Sequence, residues 1–323
     1  MLKKLIGLTP VPVTPTKKKP IVNTPILDIR ASMKEFKYEA LPDFFCYNFD
    51  VLTPVRDQGS VCGSCWAFVT AGIISDKISI YKNRPVVMSP QGLLECYGDS
   101  KNACEGSAPE DVFEWMEKTN YKLPFEFDLR YKQLRSSKVR DKCPNLPGIN
   151  VQPGSLHRLT DSLPIKAFIE GSRVKINKAT QEEKDTLNQN ILNMKTELVQ
   201  SGPFFATIIM YEDLLSYRPD KVYASNFSGL PVGGHAVEIV GYCDQGVDPR
   251  DGFNDGYWIC KNTWGPLWPA RAEIPGYFAV LKGANMCGIE SRCGTINPNI
   301  TMGKLNPDVA YTNFTKYAAE YLA

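Results

Sequence analysis

The stretch Gln58-Gly-Ser-Val-Cys62-Gly-Ser-Cys65-Trp-Ala-Phe68 sets two thiols three residues apart where an apolar, helix-like run begins. A thiol is a weak nucleophile until it ionises, and the start of a helix favours the thiolate through its free amide groups and positive dipole end. Gly63 and Ser64 add little bulk beside Cys65, so a peptide could approach it. A Cys-x-x-Cys pair alone also fits a redox site or half a zinc site. A redox pair normally follows a strand in a strand-first fold, and zinc wants a second close pair or histidines; neither accompanies this one. The chain has two histidines. His157 lies in a polar stretch, whereas His235 opens an apolar strand in Gly233-Gly-His-Ala-Val237, where the glycines allow close approach of another backbone. His235 is therefore the expected base. Its ring needs a neutral acceptor to hold it, and Lys261-Asn-Thr-Trp-Gly265 offers Asn262, with Trp264 to shield the contact from water. The chemistry expected is nucleophilic attack by a thiol activated by an imidazole, which needs neither a metal nor an organic cofactor.

The elements that position these residues can be read from periodicity. Trp66, Phe68, Val69, Ile73, Ile74, Ile78 and Ile80 give a core helix from about Ser64 to Tyr81. Two shorter helical stretches are expected between 85 and 145, the second at Ala108 to Lys118, and another near Asp185 to Ser201. Beyond that point the texture is strand-like: Phe204 to Met210, Ala236 to Tyr242, Gly256 to Lys261 and Gly276 to Leu281, separated by Gly, Pro and Asp turns. A mainly helical first half and a mainly antiparallel second half place an active site in the cleft between them. Residues 1–40 carry five prolines and Lys17-Lys-Lys19 and read as an extended arm. Residues 144–185 are polar and Pro- and Lys-rich and read as an insertion in a domain spanning 41–297. The extension 298–323 ends in an amphipathic segment, Tyr311 to Tyr321.

Composition narrows the partners. Hydrophobic residues make up 43% and charged residues 22%, an ordinary globular balance. Thirty-seven Lys and Arg against 35 Asp and Glu give a net charge of +2, which argues for neither nucleic acid nor anionic membrane. No apolar run approaches the roughly 18 residues of a membrane span. Ten cysteines suggest disulfides and an oxidising or acidic compartment, lysosome-like, secreted or packaged in a particle. Met1 to Leu8 has a basic start but too short an apolar stretch for an ordinary signal peptide.

Cys62-Gly-Ser-Cys-Trp66, Gly234-His-Ala-Val237 and Asn262-Thr-Trp-Gly265 resemble, in order, the three signature blocks of the papain family of cysteine proteases, in particular its cathepsin B and cathepsin X members. The resemblance implies an α+β, papain-like two-lobed fold, with a helical N-terminal lobe, an antiparallel β-barrel-like C-terminal lobe and the active-site cleft between. His235 and Asn262 lie 170 and 197 residues beyond Cys65, further than the family's usual ~130–150; the 144–185 stretch and the loop 244–255 supply the surplus. By the resemblance Cys65 is the nucleophile, His235 the general base and acid, Asn262 the ring-orienting residue, and Gln58 a donor to the oxyanion. Val61 adds one residue between Gln58 and Cys62 relative to the family pattern, which makes Gln58 the member to check. The resemblance also implies disulfides Cys62–Cys104 and Cys96–Cys143 and backbone contacts to substrate from Gly106 and Ser107, the latter replacing a usual glycine. Asn285-Met-Cys-Gly-Ile-Glu-Ser-Arg292 resembles a wall of cathepsin B, which implies that Arg292 lies at the base of the pocket for the second residue before the scissile bond, where cathepsin B has a glutamate. Arg292 would favour acidic or polar residues there, unless it turns out to solvent. The function implied is hydrolysis of polypeptides, with residues 1–40 as a propeptide that inhibits until cleaved near Leu41. Endopeptidase action is the primary expectation. An exopeptidase (a carboxypeptidase, with His157 binding a substrate carboxylate), a deconjugating enzyme and a non-catalytic binding protein are the alternatives.

Overall fold

The computed structural model describes residues 41–98, 103–132, 142–165, 169–170, 173–174, 179–227, 229–244, 256–270, 272–300, 309–312, 316 and 319–320. The arm 1–40, the loop 245–255 and most of the segment Tyr311 to Tyr321 lie outside the described residues.

The N-terminal lobe is built on helix α1 (Cys65–Lys82), which is buried on nearly every side. Its wide apolar face belongs inside a core, and its buried charged residues, Asp76 and Lys77, are hydrogen-bonded to residues outside the helix. It ends where Asn83 takes the left-handed conformation and returns its amide to the Ser79 carbonyl. Helix α2 (Pro90–Cys96) starts at a Ser89 cap with Pro90 in the first turn, where no amide is needed. Helix α3 (Pro109–Thr119) also opens on proline and carries Glu110 and Asp111 at its positive end. Helix α4 (Gln181–Ser201) begins four residues before the sequence reading of Asp185. A reciprocal capping box fixes its start: Thr180 Oγ1 accepts from the Glu183 amide and Glu183 Oε2 from the Thr180 amide.

The strands are β1 (Phe44–Tyr47), β2 (Leu123–Pro124), β3 (Gly148–Ile149), β4 (His157–Arg158), β5 (Ile169–Glu170), β6 (Arg173–Val174), β7 (Phe204–Met210), β8 (Gly233–Cys243), β9 (Tyr257–Lys261), β10 (Tyr277–Leu281), β11 (Cys293–Thr295) and β12 (Ala310–Tyr311). β2 pairs with β3 and β5 with β6 in small hairpins. The other eight form one antiparallel sheet in the order β10-β9-β8-β7-β11-β4, with β1 on β8 and β12 on β1. Among the described residues this sheet is open, where a barrel-like lobe was expected: β10 and β4 end the path and do not pair. The stretch read as an insertion also contributes to the fold, because His157 and Arg158 pair with Thr295 and Gly294 at the sheet edge.

Among the described residues two large hydrophobic clusters fill the molecule, beside a small one of Leu163, Ala179 and Leu187. One lies under the sheet, around Tyr242, Trp258 and Phe278. The other packs α1 against Leu93, Phe113 and Leu123, and it includes Phe205 and Ala236 from β7 and β8. The lobes therefore meet where α1 crosses the N-terminal half of β8. Fully buried Lys77 of α1 cross-links them further: its ammonium donates to Thr295 at 2.7 Å and Asn297 at 2.8 Å, and meets Glu197 of α4 at 3.1 Å.

Candidate active site

Cys65 is the first residue of α1 and fully buried. The preceding Ser64 makes no side-chain cap, so the leading amide groups of the helix are not taken by it. The backbone amides of Ala236, Trp66 and Cys65 itself point to the sulfur and lower the thiol pKa, but burial outweighs them and pushes it up to about 11. The Ala236 amide comes from β8, so the residue that follows His235 already touches the sulfur.

His235 is buried and its ring is held from two directions. Its Nε2 lies 2.8 Å from Asn262 Oδ1, and Trp264 stacks on it with ring centroids 4.7 Å apart. Asn262 Oδ1 also accepts the Thr263 amide at 2.8 Å, which fixes the amide's orientation. An acceptor facing Nε2 requires the proton on that nitrogen and leaves the lone pair on Nδ1. Nδ1 is buried without a hydrogen-bond partner. Burial takes the ring down to about 4, against the raising effect of the Asn262 bond. A lone thiolate and a lone imidazolium are both disfavoured in this setting, so charge is best accommodated when a proton passes within the pair.

Gln58 is fully buried in the same cluster. Its Oε1 accepts the Thr263 hydroxyl at 2.6 Å, its amide donates to the Thr263 carbonyl at 2.8 Å, and its Nε2 donates to the Cys62 carbonyl at 3.4 Å. The residue added by Val61 is taken up in the turn 59–61, where Gly59 has φ +70° and Ser60 is exposed. Gln58 thus lies between the asparagine loop and the cysteine loop. Tyr131 had no place in the sequence reading. Its hydroxyl donates to the Gln58 carbonyl at 2.7 Å and lies 3.1 Å from Ser64 Oγ. Tyr131 carried no readable signal and Thr263 was read only as part of the asparagine block, since their roles depend on partners far along the chain.

Cys62 is bonded to Cys104 and Cys96 to Cys143. The first bridge, with the Gly63 amide donating to the Cys104 carbonyl at 2.9 Å, ties the cysteine loop to the half-buried Gly106 and Ser107. Gly106 has φ +106°, which its lack of a side chain permits. The Ser107 hydroxyl meets Tyr97 at 3.4 Å. Cys46, Cys243, Cys260, Cys287 and Cys293 are separate buried thiols. Arg292 is 44% exposed, with its Nε 3.6 Å from Glu110 Oε2. His157 is exposed on β4. Among the described residues no cluster of three or more His, Cys, Asp or Glu could hold a metal ion, and no helix is long and apolar enough to cross a membrane.

A thiol at a helix start, reached by the amide of the residue that follows an asparagine-oriented histidine of the other lobe, defines a thiol hydrolase class of site. Residues 46–296 match the papain family cysteine protease, and the chain belongs to that family. It is 32% identical over 243 residues to "Cathepsin B-like CP2" of Giardia intestinalis, covering 74% of this chain and 67% of that one. It is 29% identical over 270 residues to "Cathepsin B-like cysteine proteinase 5" of Caenorhabditis elegans, covering 78% and 73%. Among solved structures, "proCathepsin B S9 from Trypanosoma congolense" superposes with a TM-score of 0.61 at 21% identity, covering 92% of this chain and 87% of that one. The protein is thus a papain-family, cathepsin B-like cysteine protease.

Proposed function

We propose that this protease cleaves internal peptide bonds through a thioester on Cys65. The observation that carries the reading is the His235 ring: Nε2–H is pinned by Asn262 and Nδ1 is buried with its lone pair uncommitted. Nδ1 takes the Cys65 proton as sulfur attacks the scissile carbonyl. It then passes that proton to the leaving amine, which departs as the thioester forms. In deacylation it draws a proton from water, whose oxygen attacks the thioester, and returns that proton to the sulfur. The Gln58 side-chain amide and the Cys65 backbone amide serve the oxyanion. Gly106 and Ser107 offer backbone to the substrate, and Trp264 screens the His235–Asn262 contact. Residues 1–40 act as a propeptide. The endopeptidase reading is favoured over a carboxypeptidase because His157 is held in edge pairing with β11, on a strand rather than on a loop arching over Cys65.

The test combines an epoxide that traps active cysteine proteases with two substrates, a doubly blocked internal peptide and the same peptide with a free C-terminus. Stoichiometric labelling lost in Cys65→Ala, with cleavage of the blocked peptide, is expected. Gln58→Ala should still label while kcat falls by about 100- to 1000-fold. No labelling by the parent would point to a non-catalytic binding protein. Cleavage restricted to the free C-terminus would point to the exopeptidase.

A further inference from the structure

Three residues beyond His235, the apolar strand β8 carries Glu238, which is 2% exposed. It stands directly opposite Lys261 of β9, the residue before Asn262. The Lys261 ammonium meets Asp76 Oδ2 of α1 at 2.5 Å and Thr53 Oγ1 at 3.0 Å, and Asp76 Oδ1 takes the Thr53 amide at 2.7 Å. Both Asp76 oxygens thus accept from donors. Burial and the neighbouring Asp76 push the Glu238 carboxyl well above the usual carboxylate range, against the lowering effect of Lys261 and Lys77. This favours the protonated acid, which shares a hydrogen bond with Asp76. That leaves Glu238 Oε1, a buried acceptor with no partner. On the other side, Asn262 Nδ2 is a buried donor with no partner. Both residues line one small pocket of about 20 Å³, with Gly72, Phe68, Thr263 and Lys261 among its walls. A single water needs roughly 10–15 Å³ and two or more polar partners. The pocket provides the space and the two orphaned groups.

We propose that Glu238 is a positioning residue for Asn262: one water in this pocket accepts from Asn262 Nδ2 and donates to Glu238 Oε1. The ring-orienting asparagine is thereby fixed to the Asp76–Lys261–Glu238 network beneath α1. Its oxygen is held by Thr263 and His235, and its nitrogen by the water. The proposal rests on the role given to Asn262 above. Gly72 supplies an independent handle. A Cβ there would sit 2.8 Å from Glu238 Oε2, with the Glu238 carboxyl carbon next at 3.8 Å, so an alanine displaces the end of that side chain.

The experiment measures kcat and KM for a blocked peptide in Glu238→Leu, Glu238→Gln, Gly72→Ala, Asn262→Ala and the Glu238→Leu/Asn262→Ala double variant. Active enzyme is counted by epoxide titration, so that unfolded protein does not enter. Glu238→Leu and Gly72→Ala are expected to lower kcat by about five- to tenfold, the size of one lost hydrogen bond, with KM nearly unchanged. Glu238→Gln should rescue most of that loss, because its amide donates to Asp76 and its oxygen accepts from the water as the protonated acid does. In the Asn262→Ala background Glu238→Leu should cost nothing further. Parental kcat in both Glu238→Leu and Gly72→Ala, or a loss that multiplies in full with that of Asn262→Ala, overturns the proposal. Should Glu238→Leu fail to fold, Gly72→Ala decides alone. Parental kcat in Asn262→Ala would instead remove the asparagine's role, and the positioning claim would fall with it.

Discussion

His235 must be neutral to take the Cys65 proton, so acid inactivates by protonating it. Because burial lowers the ring to about 4, the acid limb of kcat/KM should fall near that value rather than at the usual ~6.5. Activity is full above the limb and lost as pH drops through it. His235→Ala removes the proton acceptor and leaves the thiol to burial, offset only in part by the three backbone amides, at about 11. Alkylation of Cys65 by iodoacetamide in that variant should then have its midpoint above about pH 10, beyond an ordinary thiol's ~8.5. A midpoint at or below 8.5, or an acid limb at 6.5, would contradict this picture. These residues were legible because their types are scarce: two histidines leave little choice of base, and the cysteine motif is local. Gln58 was legible only in part, because Thr263, which holds it, lies 205 positions away. Glu238 and Asp76 were not read, because which charged groups meet depends on how α1 crosses β8.

Elements were legible in proportion to how much apolar surface they bury. Phe204–Met210 was read to the residue, since a continuous apolar run rich in β-branched and aromatic residues, with one face wholly buried, declares itself. The two-residue strands β4 and β12 were not read at all. Each is only two residues long, too short for an alternation of side chains to be detected. That edge geometry matters for specificity. Arg292 precedes β11, and the first turn of α3 presents Glu110 to it at 3.6 Å, while Glu110 also binds Arg158 at 2.5 Å. We propose that Arg292 biases the pocket for the second residue before the scissile bond toward acidic or polar side chains, and that Glu110 competes for its charge. Exposed pairs of this kind carry ~0.2–1 kcal/mol. Glu110→Gln should accordingly raise the preference for a glutamate there by about two- to fivefold in peptide-library profiling, and Arg292→Glu should reverse it toward arginine. An unchanged preference for arginine or large apolar groups in the parent enzyme would end the proposal.

At the scale of the whole molecule, charge is distributed unequally between arm and body. Residues 1–40 hold eight of the basic residues and three of the acidic ones, which leaves 29 basic against 32 acidic in residues 41–323. The near-zero net charge of the chain therefore hides a cationic arm on a mildly anionic protease. Opposite charge raises the local concentration of a tethered segment and weakens with salt, since screening acts over ~8–10 Å at 0.1–0.15 M. If the arm is an inhibitory propeptide, full-length protein kept from processing should hydrolyse a small blocked peptide more slowly than protein lacking residues 1–40. The gap should narrow as salt rises from 0.05 to about 0.5 M. Incubation should yield a new N-terminus near Leu41 by mass spectrometry, and with it the full rate. Substituting Lys17, Lys18 and Lys19 by Gln should narrow the gap without any salt. Equal rates for the two proteins at low salt, with no cleavage near Leu41, would mean that the arm is not a propeptide and that the protease is active as the full chain.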